Sequence, residues 1–270
     1  MDFPTFKPLQ FTLLLSLAAA LLVTLFVPRP TTARAAVADQ SRPRPVLVEL
    51  FTSEGCSSCP PADALLARLD AQQGIAGARV IVLSEHVTYW DRLGWRDPFS
   101  LDAVTARQQQ YADRFGLDSV YTPQAVVDGA SQVTGSDGPA LKRAIEREAD
   151  TPAADLAIQD ATWSSGTVHF KVRTISLASD ATVTAALADD SAQSSVARGE
   201  NAGRTLRHVA VVRAIRDMGK TALDGGELAL KLPGESNVGK GTPLRLVVFL
   251  TDRRTAQVLG VAEQTIPRQP

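Results

Sequence analysis

The stretch Val46-Leu47-Val48-Glu49-Leu50-Phe51-Thr52-Ser53-Glu54-Gly55-Cys56-Ser57-Ser58-Cys59-Pro60-Pro61-Ala62-Asp63 decides how this chain is read. Its first six residues are almost continuously apolar and β-favouring, the pattern of a strand covered on both faces. From Pro61, apolar residues at Ala62, Leu65, Leu66 and Leu69 form a helical stripe, and Gly74 is the expected stop. Pro60 and Pro61 disfavour α conformation at Cys59 and Pro60, so a late helix start is expected. Val80-Ile81-Val82-Leu83 is a second buried strand, and the strand, helix, strand order implies a right-handed parallel βαβ unit.

A longer loop is expected from Glu85 to Phe99, carrying Tyr89, Trp90 and Trp95. Ser100 is the expected N-cap of a helix whose stripe is Leu101, Val104, Gln108, Tyr111 and Phe115, closed by Gly116. Gln124–Val127 and Ser131–Thr134 flank Asp128-Gly129, a strong hairpin signal. Pro139 opens a helix with Leu141, Ala144 and Ile145 on one face. The order over residues 46–150 is thus β-α-β-α-β-β-α. Past Asp150 the pattern changes to short strands around Val168–Val172, Val183–Leu187, Leu206–Ile215, Leu228–Leu232, Leu244–Leu250 and Val258–Ile266. Residues 151–270 are therefore expected to form an all-β sandwich.

The chain has 270 residues, 44% of them apolar and 21% charged, which is ordinary globular composition and excludes collagen, bulk disorder and a polytopic membrane protein. Its net charge of −1 provides no basic field for nucleic acid. At the amino terminus, Lys7 precedes an apolar run from Phe11 to Val27, and Ala33-Arg34-Ala35 follows. That order is a secretory signal over residues 1–35; the alternative is an uncleaved membrane anchor. Either way the remainder is exported, to the periplasm or outside the cell, into an oxidising compartment. The Pro/Arg-rich segment ending residues 36–45 is read as an extended linker. A cleaved signal leaves no stable membrane insertion.

Cys56 and Cys59 are the only cysteines. Two cysteines placed at random would sit three apart roughly once in 130 placements, so the spacing is a signal. The pair follows the end of a buried strand and opens a helix, where N–H groups and the macrodipole stabilise an anion. Cys56, the more exposed in this reading, is the expected nucleophile and Cys59 the resolving thiol. An inert disulfide is the bland alternative, although so short a loop removes little chain entropy. A zinc site needs four ligands, and only His86, His169 and His208 could add to the cysteines.

The element order, the C-x-x-C at the first strand-to-helix turn, and Tyr121-Thr122-Pro123 before the hairpin resemble the thioredoxin superfamily. More closely, Val48 to Asp63, Tyr121-Thr122-Pro123-Gln124 and Gly199-Glu200-Asn201-Ala202-Gly203-Arg204 resemble a secreted bacterial thioredoxin-like family of unknown function. The resemblance implies an α/β thioredoxin-like domain (46–150) followed by the β-sandwich (151–270). It also implies that Pro123 is cis and faces the cysteines, and that the Thr122 backbone pairs with an incoming substrate strand. The chain departs from ordinary thioredoxin at Gly55, at Ser57-Ser58, and at Leu50, where the buried acid of that fold would stand; Glu49 lies one place off, on the other strand face.

Other residues are weighed on their surroundings. His86, oriented by Glu85, is a candidate proton shuttle or thiolate stabiliser. Trp90, Trp95 and Tyr89 form either a substrate groove or loop packing, and Glu54 is expected to be solvated. Gly199 to Arg204 reads as a turn, and His169 and His208 as surface residues. The expected function is thiol–disulfide exchange with extracytoplasmic protein thiols or disulfides, through Cys56 and Cys59 with Pro123, Thr122 and His86 in support. A separate redox partner resets the pair, and no cofactor is implied. Two alternatives are a copper-handling protein binding Cu(I) through the thiolates and His86, and a non-enzymatic binding module with a structural disulfide.

Overall fold

The computed structural model describes Met1 and residues 42–174, 180–233 and 242–268. The expected signal at 1–35 and most of the linker at 36–45 lie outside the described residues, apart from Met1. Among the described residues no helix is long and apolar enough to cross a membrane.

The first part of the chain runs β1 (Arg44–Thr52), α1 (Pro60–Gln72), β2 (Ala78–His86), α2 (Asp102–Phe115), β3 (Gln124–Val127), β4 (Ser131–Thr134) and α3 (Gly138–Ala149). β1 pairs parallel with β2 and antiparallel with β3, and β3 pairs antiparallel with β4. Helix α1 starts at Pro60, earlier than expected, with Cys59 as an αR N-cap. Proline is tolerated there because the first helical N–H groups have no intrahelical partner. The helix stops at Gln73, in the left-handed region at φ 47, so Gly74 is not the cap. Leu101, extended at φ −135, takes the N-cap place expected of Ser100, whose hydroxyl instead donates to Asp91 and to the Asp97 carbonyl. The Asp128-Gly129 turn has φ 45 and 56, and its Asp128 carboxylate accepts the Leu47 N–H at 2.7 Å.

The rest of the chain runs β5 (Leu156–Ser164), β6 (Thr167–Thr174), β7 (Ala181–Ser195), β8 (Thr205–Gly219), a 3₁₀ turn (Thr221–Asp224), β9 (Leu228–Lys231), β10 (Leu244–Asp252) and β11 (Val258–Ile266). Here the expected architecture is overturned. The chain does not form a thioredoxin-like α/β domain plus a separate β-sandwich. It is mostly β, built on a mixed eight-stranded sheet in the order β11-β10-β7-β8-β2-β1-β3-β4, with a three-stranded sheet β5-β6-β9.

The reason lies in β7 and β8. Val183, Ala185 and Leu187 pack in one core with Val168, Phe170 and Leu246. Ala186 and Ala188, on the opposite face, pack in the other with Val247, Phe249 and the β1–β2 residues. Small alanines between larger residues mimic the polar positions of a half-exposed strand, yet β7 is buried on both faces. A strand apolar on both faces needs cover on both sides, which a free two-layer sandwich does not give its outer face. Parallel pairing of Ser84 with Val211 joins β8 to β2 and removes β2 as an open edge. Burying one such Leu, Val or Phe side chain stabilises by about 1.5–3 kcal/mol, so this shared sheet is a large part of the fold.

A covered cysteine pair over buried histidines and carboxylates

The β1 strand ends at Thr52, and the chain turns through Ser53-Glu54-Gly55 into the cysteines. The Cys56 N–H donates to the Ser53 carbonyl at 3.1 Å and the Cys59 N–H to the Cys56 carbonyl at 3.3 Å. Cys56 and Cys59 form a disulfide with Cα atoms 5.4 Å apart. Both cysteines are 0% exposed, so Cys56 is not the accessible sulfur that the sequence suggested, whereas Ser57 and Ser58 between them are exposed. The helix offers Cys56 less than expected. Pro60 and Pro61 carry no N–H, and the N–H groups of Ala62 and Asp63 both donate to the Cys59 carbonyl. The Ser58 hydroxyl lies 3.4 Å from Cys56 Sγ.

The cover comes from far along the chain. The tip of the β7–β8 hairpin, residues 196–204, folds over the cysteine turn. Asn201, 1% exposed, donates through Nδ2 to the carbonyls of Glu54 and Cys56, each at 2.9 Å. Arg204 Nη1 holds Asn201 Oδ1 at 2.8 Å, and the exposed Glu200 carboxylate accepts the Ser57 N–H at 3.1 Å. The loop after β2 packs against the same tip. A Cβ on Gly199 would stand 3.2 Å from Trp95 Cβ, and one on Gly94 would stand 3.4 Å from Gly199 Cα. The segment read as an ordinary turn is therefore the cover of the candidate site.

Beneath the turn lies a buried cluster of five ionisable groups. Glu54, expected in solvent, is 0% exposed and accepts from Trp95 Nε1 at 2.8 Å and from the Ser194 hydroxyl. His208, expected at the surface, is buried from β8, with Nε2 3.3 Å from Glu54 Oε1 and Nδ1 3.7 Å from Asp63 Oδ2. His86 is the last residue of β2, not a loop residue; Asp97, rather than Glu85, holds its Nδ1 at 2.7 Å. Its Nε2 meets the Ser84 hydroxyl at 3.2 Å, and its ring meets that of His208 edge-on at 4.6 Å between centroids. The Thr52 hydroxyl donates to Asp63 at 2.9 Å, and Asp97 accepts the Glu54 N–H at 2.8 Å.

The charges of the cluster follow from these contacts. Burial lowers the His86 pKa, but Asp97, Asp63 and Glu54 around it outweigh burial and raise it. For Asp97 burial acts upward, yet His86 and the N–H groups of Glu54 and Phe99 hold it below the ordinary value. Burial dominates at Asp63 and raises it despite His208 and His86. The His86–Asp97 pair thus holds the Glu54 backbone, through the Glu54 N–H that Asp97 Oδ2 accepts.

Thr122–Pro123 is a cis peptide. Trp90 links it to the cysteine turn, since its Nε1 donates to Thr122 Oγ1 at 2.8 Å and its Cβ would meet a Gly55 Cβ at 3.1 Å. Glu85 points to the other face of the sheet, where Glu49, Arg107 and Tyr111 form a second buried cluster. Arg107 donates to Glu49 at 2.5 and 3.1 Å, and Tyr111 donates to Glu49 at 2.5 Å. His169, half exposed, pairs with Glu227 away from the site. Among the described residues no group of three or more His, Cys, Asp or Glu is arranged to hold a metal ion. Asp97, Asn201 and His208 received no role at the site from the sequence, because only the tertiary fold brings them to residues 54–59, and the partners that bury Glu54 and Asp63 come with them.

Fold and site together define a mostly β protein carrying a covered C-x-x-C disulfide at a strand-to-helix turn. Residues 47–251 match the model of DUF1223, a family described as protein of unknown function, and the chain belongs to that family. A search of curated proteins finds no match. Among solved structures, the chain is similar to the X-ray crystal structure of a structural-genomics protein from Agrobacterium tumefaciens. The two share 25% identity at a TM-score of 0.58, over 83% of this chain and 95% of that one.

Proposed function

We propose that this protein carries out thiol–disulfide exchange through Cys56 and Cys59 on extracytoplasmic proteins. The carrying observation is the disulfide between the chain's only two cysteines, three residues apart, in a turn whose Glu54 pairs with buried His208 and donates its N–H to Asp97 of the buried His86–Asp97 pair. A disulfide closing so small a ring adds little stability, while perturbed ionisable groups gather where chemistry needs them. Trp90, whose indole N–H joins Thr122 to the cysteine turn, supports the resemblance to the thioredoxin superfamily at this site, as distinct from the architecture of the whole chain. The amino-terminal pattern supports export by a signal segment.

In this reading the hairpin tip first moves aside. A substrate thiolate then attacks Cys56 Sγ, the Cys56–Cys59 bond breaks, and Cys59 leaves as the thiolate. A second substrate thiol attacks the mixed disulfide, releasing oxidised substrate and leaving both cysteines reduced; a separate disulfide-bearing partner accepts those two electrons and restores the bond. The reverse sequence reduces a substrate disulfide.

Cys59→Ala tests this reading. Cys56 of the variant should accumulate mixed disulfides with exported proteins, visible as adducts released by dithiothreitol, and Cys56→Ala should abolish them. Absence of adducts, with a reduction potential below about −300 mV, would overturn the proposal in favour of a binding module with a structural disulfide. The complete burial of both cysteines is the observation that favours this second reading. Copper handling gains no such support, because Asp97 and Ser84 already engage both ring nitrogens of His86.

A further inference from the structure

The rim of the covered site is predominantly positive. Contact of Gly94 with Gly199 brings the loop after β2 and the hairpin tip side by side. Their outward residues include Arg92, Arg96, Arg198 and Arg204, all exposed. Among the described residues none of these four forms an ion pair, although Arg204 holds Asn201, whereas Arg44, Arg107 and Arg245 in the body of the protein are paired with Asp128, Glu49 and Asp70. The acidic residues of the same two segments are turned inward or engaged. Asp97 is buried on His86, Asp91 accepts from Ser100, and Glu200 accepts the Ser57 N–H. A chain whose overall charge is −1 thus has a cationic rim at one place. Leu93 stands in the middle of it, 62% exposed and, apart from Met1, the exposed large hydrophobic of the described residues.

We infer that this rim docks an acidic polypeptide segment of the protein whose thiol or disulfide exchanges with Cys56–Cys59. The inference rests on the exchange reading above and adds the chemistry of the partner. Arginines outside any ion pair, with an exposed apolar side chain between two of them in the chain, are the composition of a binding anchor, since arginine is enriched and bidentate toward carboxylates at interfaces. A polypeptide, rather than a membrane or nucleic acid, is the occupant because the rim borders a cysteine pair whose reaction needs a partner sulfur. Arginines at the rim raise the encounter rate with an acidic partner, and salt screens the effect. The reaction balances without another component. The reduced protein gives two electrons and two protons, the partner's S–S bond breaks to two thiols, and the Cys56–Cys59 bond forms.

The experiment uses the reduced protein and three peptide disulfides with Asp/Glu, Gln or Lys beside the cysteine, together with neutral 2-hydroxyethyl disulfide. At low salt the acidic peptide should react about tenfold or more faster than the Gln peptide, and 1 M salt should erase the difference. Combined Arg92→Glu, Arg96→Glu and Arg198→Glu should bring the two peptides within twofold while leaving the rate with 2-hydroxyethyl disulfide unchanged. Leu93→Ala should slow both peptides and not the small disulfide. Equal rates for acidic and Gln peptides, preference for Lys, or an advantage that survives the triple substitution would overturn the inference. Failure to react with any disulfide would remove the exchange reading, and binding then decides the surface. Salt-sensitive binding of an acidic peptide lacking cysteine, lost in the triple variant, keeps the surface. No binding, or equal binding to anionic lipid vesicles, overturns it.

Discussion

Asn201→Ala is the sharpest test of the cover. Its amide donates at 2.9 Å to the carbonyls of Glu54 and Cys56, two backbone groups at the heart of the candidate site. Removing the amide leaves the Glu54 carbonyl without that donor while the tip stays closed, and leaves the Cys56 carbonyl only the Cys59 N–H at 3.3 Å. An unsatisfied buried polar group costs about 1–3 kcal/mol, and water entering the space left by the amide lowers the cost toward the bottom of that range. A closed-state loss of about 1–2 kcal/mol follows, since the open state has both carbonyls in water in either protein. With about 1.4 kcal/mol per tenfold, the open population rises roughly 5- to 30-fold. The assay is the rate at which a small phosphine reduces the disulfide under native conditions, read by alkylation and mass. Asn201→Asp, which sets a carboxylate against two carbonyl oxygens, should accelerate reduction at least as much. Reduction within twofold of the parent rate in both variants, with unchanged circular dichroism, would show that the tip does not control access.

Three further outcomes follow from the buried clusters and the turns. Among the described residues neither oxygen of Glu85 has a hydrogen-bond partner, and burial, with Glu49 beside it, raises its pKa well above the ordinary value against the pull of Arg107. Between the ordinary and raised values the folded chain holds a proton that the unfolded chain has lost. Stability is therefore greatest below about pH 4.5 for this group and falls as pH rises through the raised value, by at most about 1.4 kcal/mol per pH unit. Glu85→Gln should remove that slope in urea denaturation from pH 5 to 8; an identical slope in both proteins would refute it. Arg107→Met should destabilise by about 3–5 kcal/mol, because it leaves buried Glu49 without its cation, and a urea midpoint unchanged from the parent would count against the ion pair. Gly129→Ala places a Cβ 2.4 Å from the Ala256 carbonyl oxygen at a residue with φ 56. A loss of about 2 kcal/mol or more is expected in thermal unfolding, and a neutral result would mean that the turn relaxes freely.

Much of the amino-terminal half was legible because its signals are local. The Asp128-Gly129 hairpin, the stripe Val104–Gln108–Tyr111 and the helix from Gly138 follow from turn chemistry and the 3.6-residue period. Strand β5 escaped notice because exposed Gln159 and Asp160, where its register shifts, separate Leu156 and Ile158 from Trp163 and break the alternation. Strand β7 misled more deeply, since alanine occupies one face and reads as neither core nor surface. His208 and Glu54 were misplaced for a related reason. A charged residue is expected in water unless a partner is known, and the partners of Glu54 lie on β7, on β8 and in the loop after β2.

What the amino-acid order determined unaided was the cysteine pair, its seat between a buried strand and a helix, and the local elements that frame it. Those properties depend on neighbours within a turn or two. What only the tertiary structure decided was the joining of β8 to β2, the burial of both sulfurs under a hairpin tip 145 residues away from Cys56, and the histidine–carboxylate cluster beneath. Each of those depends on which faces meet, and burial sets the charge of an ionisable group only once the meeting has occurred.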